Sequence, residues 1–291
     1  MSENTLFGDL PRVTGKTISF GPIRYPIWTE NKAKLIARYL YYFVLVTKHG
    51  AYIDGFAGPQ EADKPQMWAA KLVLETEPKW LRQFFLCDAK AENARQLEAL
   101  KTSQPPRKSR EPTRTIEIYE GDFNSVVDEI LASGKIKPKV ATFCLLDQRT
   151  FECHWRTVRA LAQHKTQGTK IELFYFLGTG WLGRALAAQK DAKVLQAWWE
   201  RDDWAKLRSM EHDERVTLFC RRFKDELGYK HVYPWPIFEK RSGGRIMYFM
   251  IHASDHDEAP PLMARAYRKA TGRLEPLQNV QITFDFDGKA S

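Results

Sequence analysis

Four predicted strand ends in this 291-residue sequence each carry an aspartate: Ala51-Tyr52-Ile53-Asp54, Phe84-Phe85-Leu86-Cys87-Asp88, Tyr119-Glu120-Gly121-Asp122 and Phe143-Cys144-Leu145-Leu146-Asp147. A carboxylate only accepts hydrogen bonds, so such residues suit hydroxyl and amino donors. In an open parallel sheet, ligands bind outside the carboxyl ends of the strands, and there the four acids would share one crevice. Asp88, closing the second strand, is placed to accept from both ribose hydroxyls of a nucleoside. Asp122 is placed to accept from an adenine amino group, with the Phe123 ring against the purine face. Either aspartate would equally serve as a helix N-cap.

The first aspartate opens the turn Asp54-Gly55-Phe56-Ala57-Gly58-Pro59-Gln60. A pyrophosphate-binding turn needs GxGxxG leading into a helix N-terminus, which this segment lacks. An adenosine linked to methionine needs only a close backbone approach, which Gly55, Ala57 and Gly58 allow. S-adenosylmethionine is therefore favoured as cofactor over a nicotinamide dinucleotide.

These residues need a scaffold of alternating strands and helices. Apolar residues at Leu35, Ile36, Tyr39, Leu40, Phe43 and Val44 predict a helix entering the turn, opened by Trp28 to Lys32 with Thr29 as N-cap. Helices are expected over 67–75, 91–100, 125–131 and 154–164, and strands over 83–88, 115–119, 140–146 and 170–177. Residues 181–230 read as a helical insertion carrying Trp198, Trp199 and Trp204. Helical spacing favours packing of these rings on the core over a base-stacking platform. Val232 to Phe238 and Arg245 to His252 form an antiparallel pair, and a final helix covers 262–271. The whole predicts a single α/β domain over 1–291 with an N-terminal extension and helix over 1–50. Its fold would be a Rossmann-like class I methyltransferase fold, a seven-stranded mixed sheet with a C-terminal antiparallel hairpin and a helical insertion.

Several of these motifs together resemble the three-Cys-motif partner proteins, a bacterial and phage-associated methyltransferase-like family. The resemblance covers residues 25–272. It lies in Trp28-Thr29 with Lys32, in YIDGFAGP, in an LLD strand end with Trp155 eight residues on, in YFMIHAS, and in a helix containing Ala266, Tyr267, Lys269 and Ala270. It implies an S-adenosylmethionine fold and association with a radical-type three-cysteine partner protein. Two departures stand out: Gln60 replaces a glycine, and Asp147 is followed by Gln148-Arg149 where the family carries Asp-Pro. In amino-directed methyltransferases of this kind the Asp and the Pro carbonyl hold the target amine beneath an aromatic ring. Here Asp147 would accept from the amine, Gln148 would supply a side-chain carbonyl, Phe151 or Trp155 would stack, and Asp147 or Glu152 would take the released proton. Lys32 would contact the cofactor carboxylate or a substrate phosphate.

Composition sets the outer limits. Hydrophobic residues make up 43% and no apolar run approaches the roughly 18 residues that cross a bilayer, so no membrane association and a cytoplasmic location are expected. A formal charge of +9 favours a nucleic-acid partner, with 107–114 and Lys240, Arg241 and Arg245 as candidate phosphate contacts. The four cysteines, Cys87, Cys144, Cys153 and Cys220, read as small core hydrophobes. His252, Asp255, His256 and Asp257 read as a solvated strand end, and no metal is assigned. The competing function is that of a catalytically degenerate methyltransferase-fold subunit, binding a protein or nucleic acid in a phage-related or defence context.

Overall fold

The computed structural model describes residues 32–270 apart from 62, 241 and 242, together with four short strands outside that range. The proposed N-cap Thr29, and the side chains of Lys240, Arg241 and Arg245, lie outside the described residues.

The elements run β1 (Arg12–Thr14), β2 (Thr17–Ser19), β3 (Ile27–Trp28), α1 (Lys32–Thr47), β4 (Gly50–Asp54), α2 (Ala69–Glu75), β5 (Leu81–Asp88), α3 (Ala91–Thr102), β6 (Thr115–Glu120), α4 (Phe123–Ala132), β7 (Thr142–Leu146), α5 (Trp155–Gln163), β8 (Glu172–Leu177), α6 (Thr179–Ala188), α7 (Ala192–Trp199), α8 (His212–Arg221), β9 (His231–Lys240), β10 (Gly243–Ser254), α9 (Ala259–Ala270) and β11 (Thr283–Asp285). The large sheet has the order β3-β9-β10-β8-β7-β4-β5-β6, and a separate small sheet joins β1, β2 and β11. Apart from the two-residue β3, the large sheet is the expected mixed seven-stranded one, of α/β class and consistent with a Rossmann-like arrangement. Strands β4 to β8 pair in parallel, while β10 runs antiparallel between β8 and β9.

The order reverses at β4, which has β5 on one side and β7 on the other. This is the topological switch point where a ligand crevice opens. Strands β4, β7 and β8 are buried along their whole length. Such strands must be apolar on both faces, which accounts for runs such as Thr142-Phe143-Cys144-Leu145-Leu146. The apolar stripe of α1 is buried as its spacing requires, with Leu35, Ile36, Tyr39 and Leu40 at 0% exposure.

Local structure corrects the sequence reading in three places. Trp28 lies in the edge strand β3 rather than in the helix, which begins at Lys32. The helix expected over 67–75 is interrupted at Trp68, extended between a 3₁₀ turn at Pro65–Met67 and α2. Its indole Nε1 leaves helical register to donate to the Ala57 carbonyl at 2.6 Å, fastening the first turn. The small sheet of β1, β2 and β11 had no counterpart in the sequence reading, since strands this short show no periodicity.

Between β8 and β9 the chain forms α6, α7, a 3₁₀ segment (Asp202–Arg208), α8 and a π-helical turn (Arg222–Glu226). Trp198 and Trp199 are 1% exposed. Trp198 Nε1 donates to the Tyr175 hydroxyl at 3.0 Å, and its ring lies 5.3 Å from that of Phe219. The tryptophans thus pack this helical segment onto β8, as their spacing indicated. All four cysteines are buried free thiols, and no helix among the described residues is long and apolar enough to cross a membrane.

Candidate functional site at the strand ends

The turn after β4 is held by its own backbone and by its neighbours. Gly55 N donates to Leu145 O at 3.1 Å, Ala57 N to Cys87 O at 2.7 Å and Gly58 N to the Asp88 carboxylate at 2.9 Å. Phe56 N donates to Asp54 Oδ1 at 3.1 Å. The turn is thereby tied across β4, β5 and β7.

Close packing within the protein requires glycine at both positions. A Cβ on Gly55 would stand 2.6 Å from the Phe123 ring, and one on Gly58 would stand 2.3 Å from Asn93 Nδ2 and 2.4 Å from Asp88 Oδ2. Phe123, at 2% exposure, therefore fills the space over Gly55 and is not free to cover a purine. Phe56 is half-buried, with its ring 6.1 Å from that of Phe123.

Asp88 accepts from Gly58 N through Oδ2, and from Lys90 N and Asn93 Nδ2 through Oδ1, each at 3.0 Å in the latter two cases. A carboxylate has about four acceptor positions, so one stays open on this half-buried residue. Asp122 is the N-cap of α4, its Oδ1 accepting from Asn124 N. That oxygen also takes Asn124 Nδ2, and Oδ2 of this exposed residue has no hydrogen bond among the described residues. The two aspartates thus combine a local capping role with a remaining acceptor each.

Asp54 is 1% exposed and bonded to the Tyr52 hydroxyl at 2.8 Å. Burial raises its carboxyl to about 7; the Tyr52 and Phe56 hydrogen bonds oppose the rise, and the Asp147 and Asp88 charges add to it. Tyr52 and Asp54 lie two residues apart on one face of β4, which is why they meet.

Across the switch point, Asp147 forms an ion pair with Lys32, whose Nζ lies 2.8 Å from Oδ1 and 2.6 Å from Oδ2. Burial acts to lower the Lys32 ammonium, but Asp147, with smaller contributions from Tyr248 and Asp54, more than offsets it, and the net shift is upward. The Nζ also sits 5.6 Å from both the Phe176 and Tyr248 rings. Gln60 Nε2 completes the group with a 3.1 Å bond to Asp147 Oδ2. Lys32 and Asp147 are therefore paired with each other.

The remaining acceptor-side residues do not converge. Gln148, 2% exposed, accepts from Cys153 N and donates to Phe176 O, so its amide shapes the loop after β7 instead of offering a carbonyl to an amine. Phe151 packs edge-on against Trp198 at 4.9 Å. Trp155 is 2% exposed under the Arg222 guanidinium, 3.8 Å away, and beside Phe223. Neither ring is free to stack on a base. Glu152 is exposed and caps its own loop through Thr150 N at 2.6 Å. The residue that organises this region is Asn124: it donates to Glu152 O and accepts from His154 N and Thr157 Oγ1. No spacing rule ties Asn124 to a loop roughly 28 positions on, so sequence reasoning passed it over.

His252 is 1% exposed and bonded to Glu172 at 2.8 Å, while Asp255 pairs with Lys170 and Asp257 with Lys230 and His231.

At the nucleoside end Asp88 and Asp122 keep open acceptors beside a fixed turn. The residues at the acceptor end do not form the expected clamp. No protein-family model and no curated protein matches the chain. Among solved structures it is similar to the crystal structure of protein LPL1258 from Legionella pneumophila, given with the family model DUF519, at 10% identity over 89% of this chain and 97% of that one, with a TM-score of 0.47.

Proposed function

We propose that the chain is an S-adenosylmethionine-dependent methyltransferase of Rossmann-like fold acting on a nucleic acid. The reading rests on one observation above others: Asp88 closes β5 next to the switch point, fastened to Gly58 and still holding one open acceptor position. The five parallel strands followed by an antiparallel β10 between β8 and β9 support it, as does a turn after β4 without the GxGxxG spacing, which this sequence carries instead at 178–183, after β8. Asp88 would accept from ribose and Asp122 Oδ2 from the adenine amino group. When bound, the cofactor supplies an electrophilic methyl on sulfur. The protein's task is then to align an incoming nucleophile and exclude water. For Asp147 to receive the acceptor, Lys32 must release it.

A second reading, a binding subunit that transfers no methyl group, draws on the closed Lys32–Asp147 pair and the packed Gln148, Phe151 and Trp155. Calorimetry with S-adenosylmethionine on the parent protein, Asp88→Ala and the milder Asp88→Asn tests the cofactor site. We expect binding weakened at least about tenfold by either change, since the loss of one charge-assisted hydrogen bond is worth about 1.5–3 kcal/mol. No binding by the parent would remove both the enzyme and its cofactor. Binding without transfer of labelled methyl to DNA, RNA or protein pools would leave the second reading.

A further inference from the structure

At the opposite end of the sheet, where the parallel strands begin, a cleft of about 630 Å³ opens beside β4 and β5. Arg82, Lys135, Lys137, Lys139 and His49 line it, and no acidic residue does. Three of these cations come from the connection Gly134-Lys135-Ile136-Lys137-Pro138-Lys139, which joins α4 to β7. Ile136 is 4% exposed and anchors that connection, while the lysines on either side of it are exposed. Gly134, at φ 69°, makes the left-handed turn that ends α4 and sends the chain across the strand starts.

Only Lys135 among the four Lys and Arg residues is neutralised, by Glu117 on β6 at 2.6 Å. Arg82, Lys137 and Lys139 form no ion pair among the described residues. Three unpaired cations gathered round one concave surface repel each other, an arrangement that a phosphate-rich ligand relieves. The basic edge continues at the next strand. The start of β6 pairs with β5 at Gln83 and Thr115, and a second cleft of about 350 Å³ there holds Arg107, Lys108 and Arg114 together with Glu77 and Glu111. Neighbouring strands are about 4.8 Å apart, so the two clefts open at adjacent strand starts along one sheet edge. Cations spread over such an edge suit a chain of phosphates better than one compact anion.

We propose that this strand-start cleft binds the phosphate backbone of a nucleic-acid strand. It is a separate site from the crevice: the four residue steps of β4 from Gly50, in the cleft wall, place it about 13 Å from Asp54. It requires no bound cofactor, so it stands or falls apart from methyl transfer.

The test is fluorescence anisotropy with labelled single-stranded RNA and DNA of about 20 nucleotides, without cofactor, between about 50 and 200 mM salt. The triple variant Arg82→Glu/Lys137→Glu/Lys139→Glu should bind at least about tenfold more weakly. Its salt slope should fall by about 2, given about 0.7 per phosphate contact on a single strand. A charge-matched variant on the helical segment, Arg184→Glu/Lys190→Glu/Lys193→Glu, should change the slope much less. Lys137→Gln and Lys139→Gln singly should each lower the slope by about 0.7, so the test survives a triple variant that misfolds. Equal losses in the two triple variants would reduce the effect to net charge and overturn the site. Unchanged binding in the cleft variants would overturn it too, as would inorganic triphosphate binding the cleft as tightly as the oligonucleotides. Intact oligonucleotide binding with no methyl transfer would refute only the catalytic reading above.

Discussion

Lys32 and Asp147 carry the most consequence at the scale of single residues, because their pairing decides whether the acceptor end of the crevice is open. Both side chains are nearly buried, at 7% and 9% exposure. Removing one partner of such a pair strands the other charge in a medium that solvates it poorly. Lys32→Met should therefore destabilise the fold by about 3–5 kcal/mol in urea denaturation, while Lys32→Met/Asp147→Leu should recover most of the loss. Equal stability of Lys32→Met and the parent would mean that Asp147 is well hydrated without its partner. The Asp at position 147 was legible as a strand end. Its partner 115 positions earlier was not, because nothing in local spacing couples a helix N-terminus to a distant strand.

Among elements, the firmest polar junction ties α1, β8 and β10 together through a single carboxylate. Glu172 on β8 accepts from the Tyr39 hydroxyl of α1 and from Ser254 Oγ of β10 at 2.8 Å, and it pairs with His252 Nε2 at 2.8 Å. Every member is buried. Burial, with the neighbouring Glu172 charge, pushes the Tyr39 hydroxyl well above its ordinary value, so it remains a donor. Glu172→Ala would orphan three buried polar groups at about 1–3 kcal/mol each, and we expect a total loss above about 3 kcal/mol. Glu172→Gln, which keeps one acceptor oxygen, should lose less. A loss under about 1 kcal/mol from the alanine change, measured by the same denaturation, would show that water replaces the carboxylate. His252 was visible in the sequence only as part of a solvated strand end. The antiparallel register that sets it opposite Phe174, and so near Glu172, comes from β10 lying against β8.

For the whole molecule, the buried Asp54 makes stability depend on pH. Its carboxyl titrates at about 7 when folded and near the ordinary 3.8 when unfolded. Between these values the folded protein holds a proton that the unfolded chain has lost, so stability falls as pH rises from about 4 to about 7. Above that window the full cost is present, on the order of 2–4 kcal/mol. Asp54→Asn removes the titration and retains an acceptor for Phe56 N. Denaturation at pH 5 and pH 8 should therefore show a steeper loss toward high pH in the parent than in the variant. Parallel losses would place the carboxyl's titration elsewhere.

The sequence by itself determined the α/β class, the seven principal strands, the buried face of α1, the packing role of Trp198 and Trp199, and the position of all four aspartates at strand ends. These follow from period, apolar content and turn chemistry, which act over a few residues. Tertiary structure decided what those residues touch. It spent the space at Gly55 on Phe123 and that at Gly58 on Asp88 and Asn93, buried Phe151 and Trp155 against the helical segment, and closed Asp147 with Lys32. It also gathered Arg82 and the lysines of 135–139 round one cleft. The reason is physical: a side chain's accessibility and charge balance are set by neighbours that arrive from distant parts of the chain, and local spacing carries no record of them.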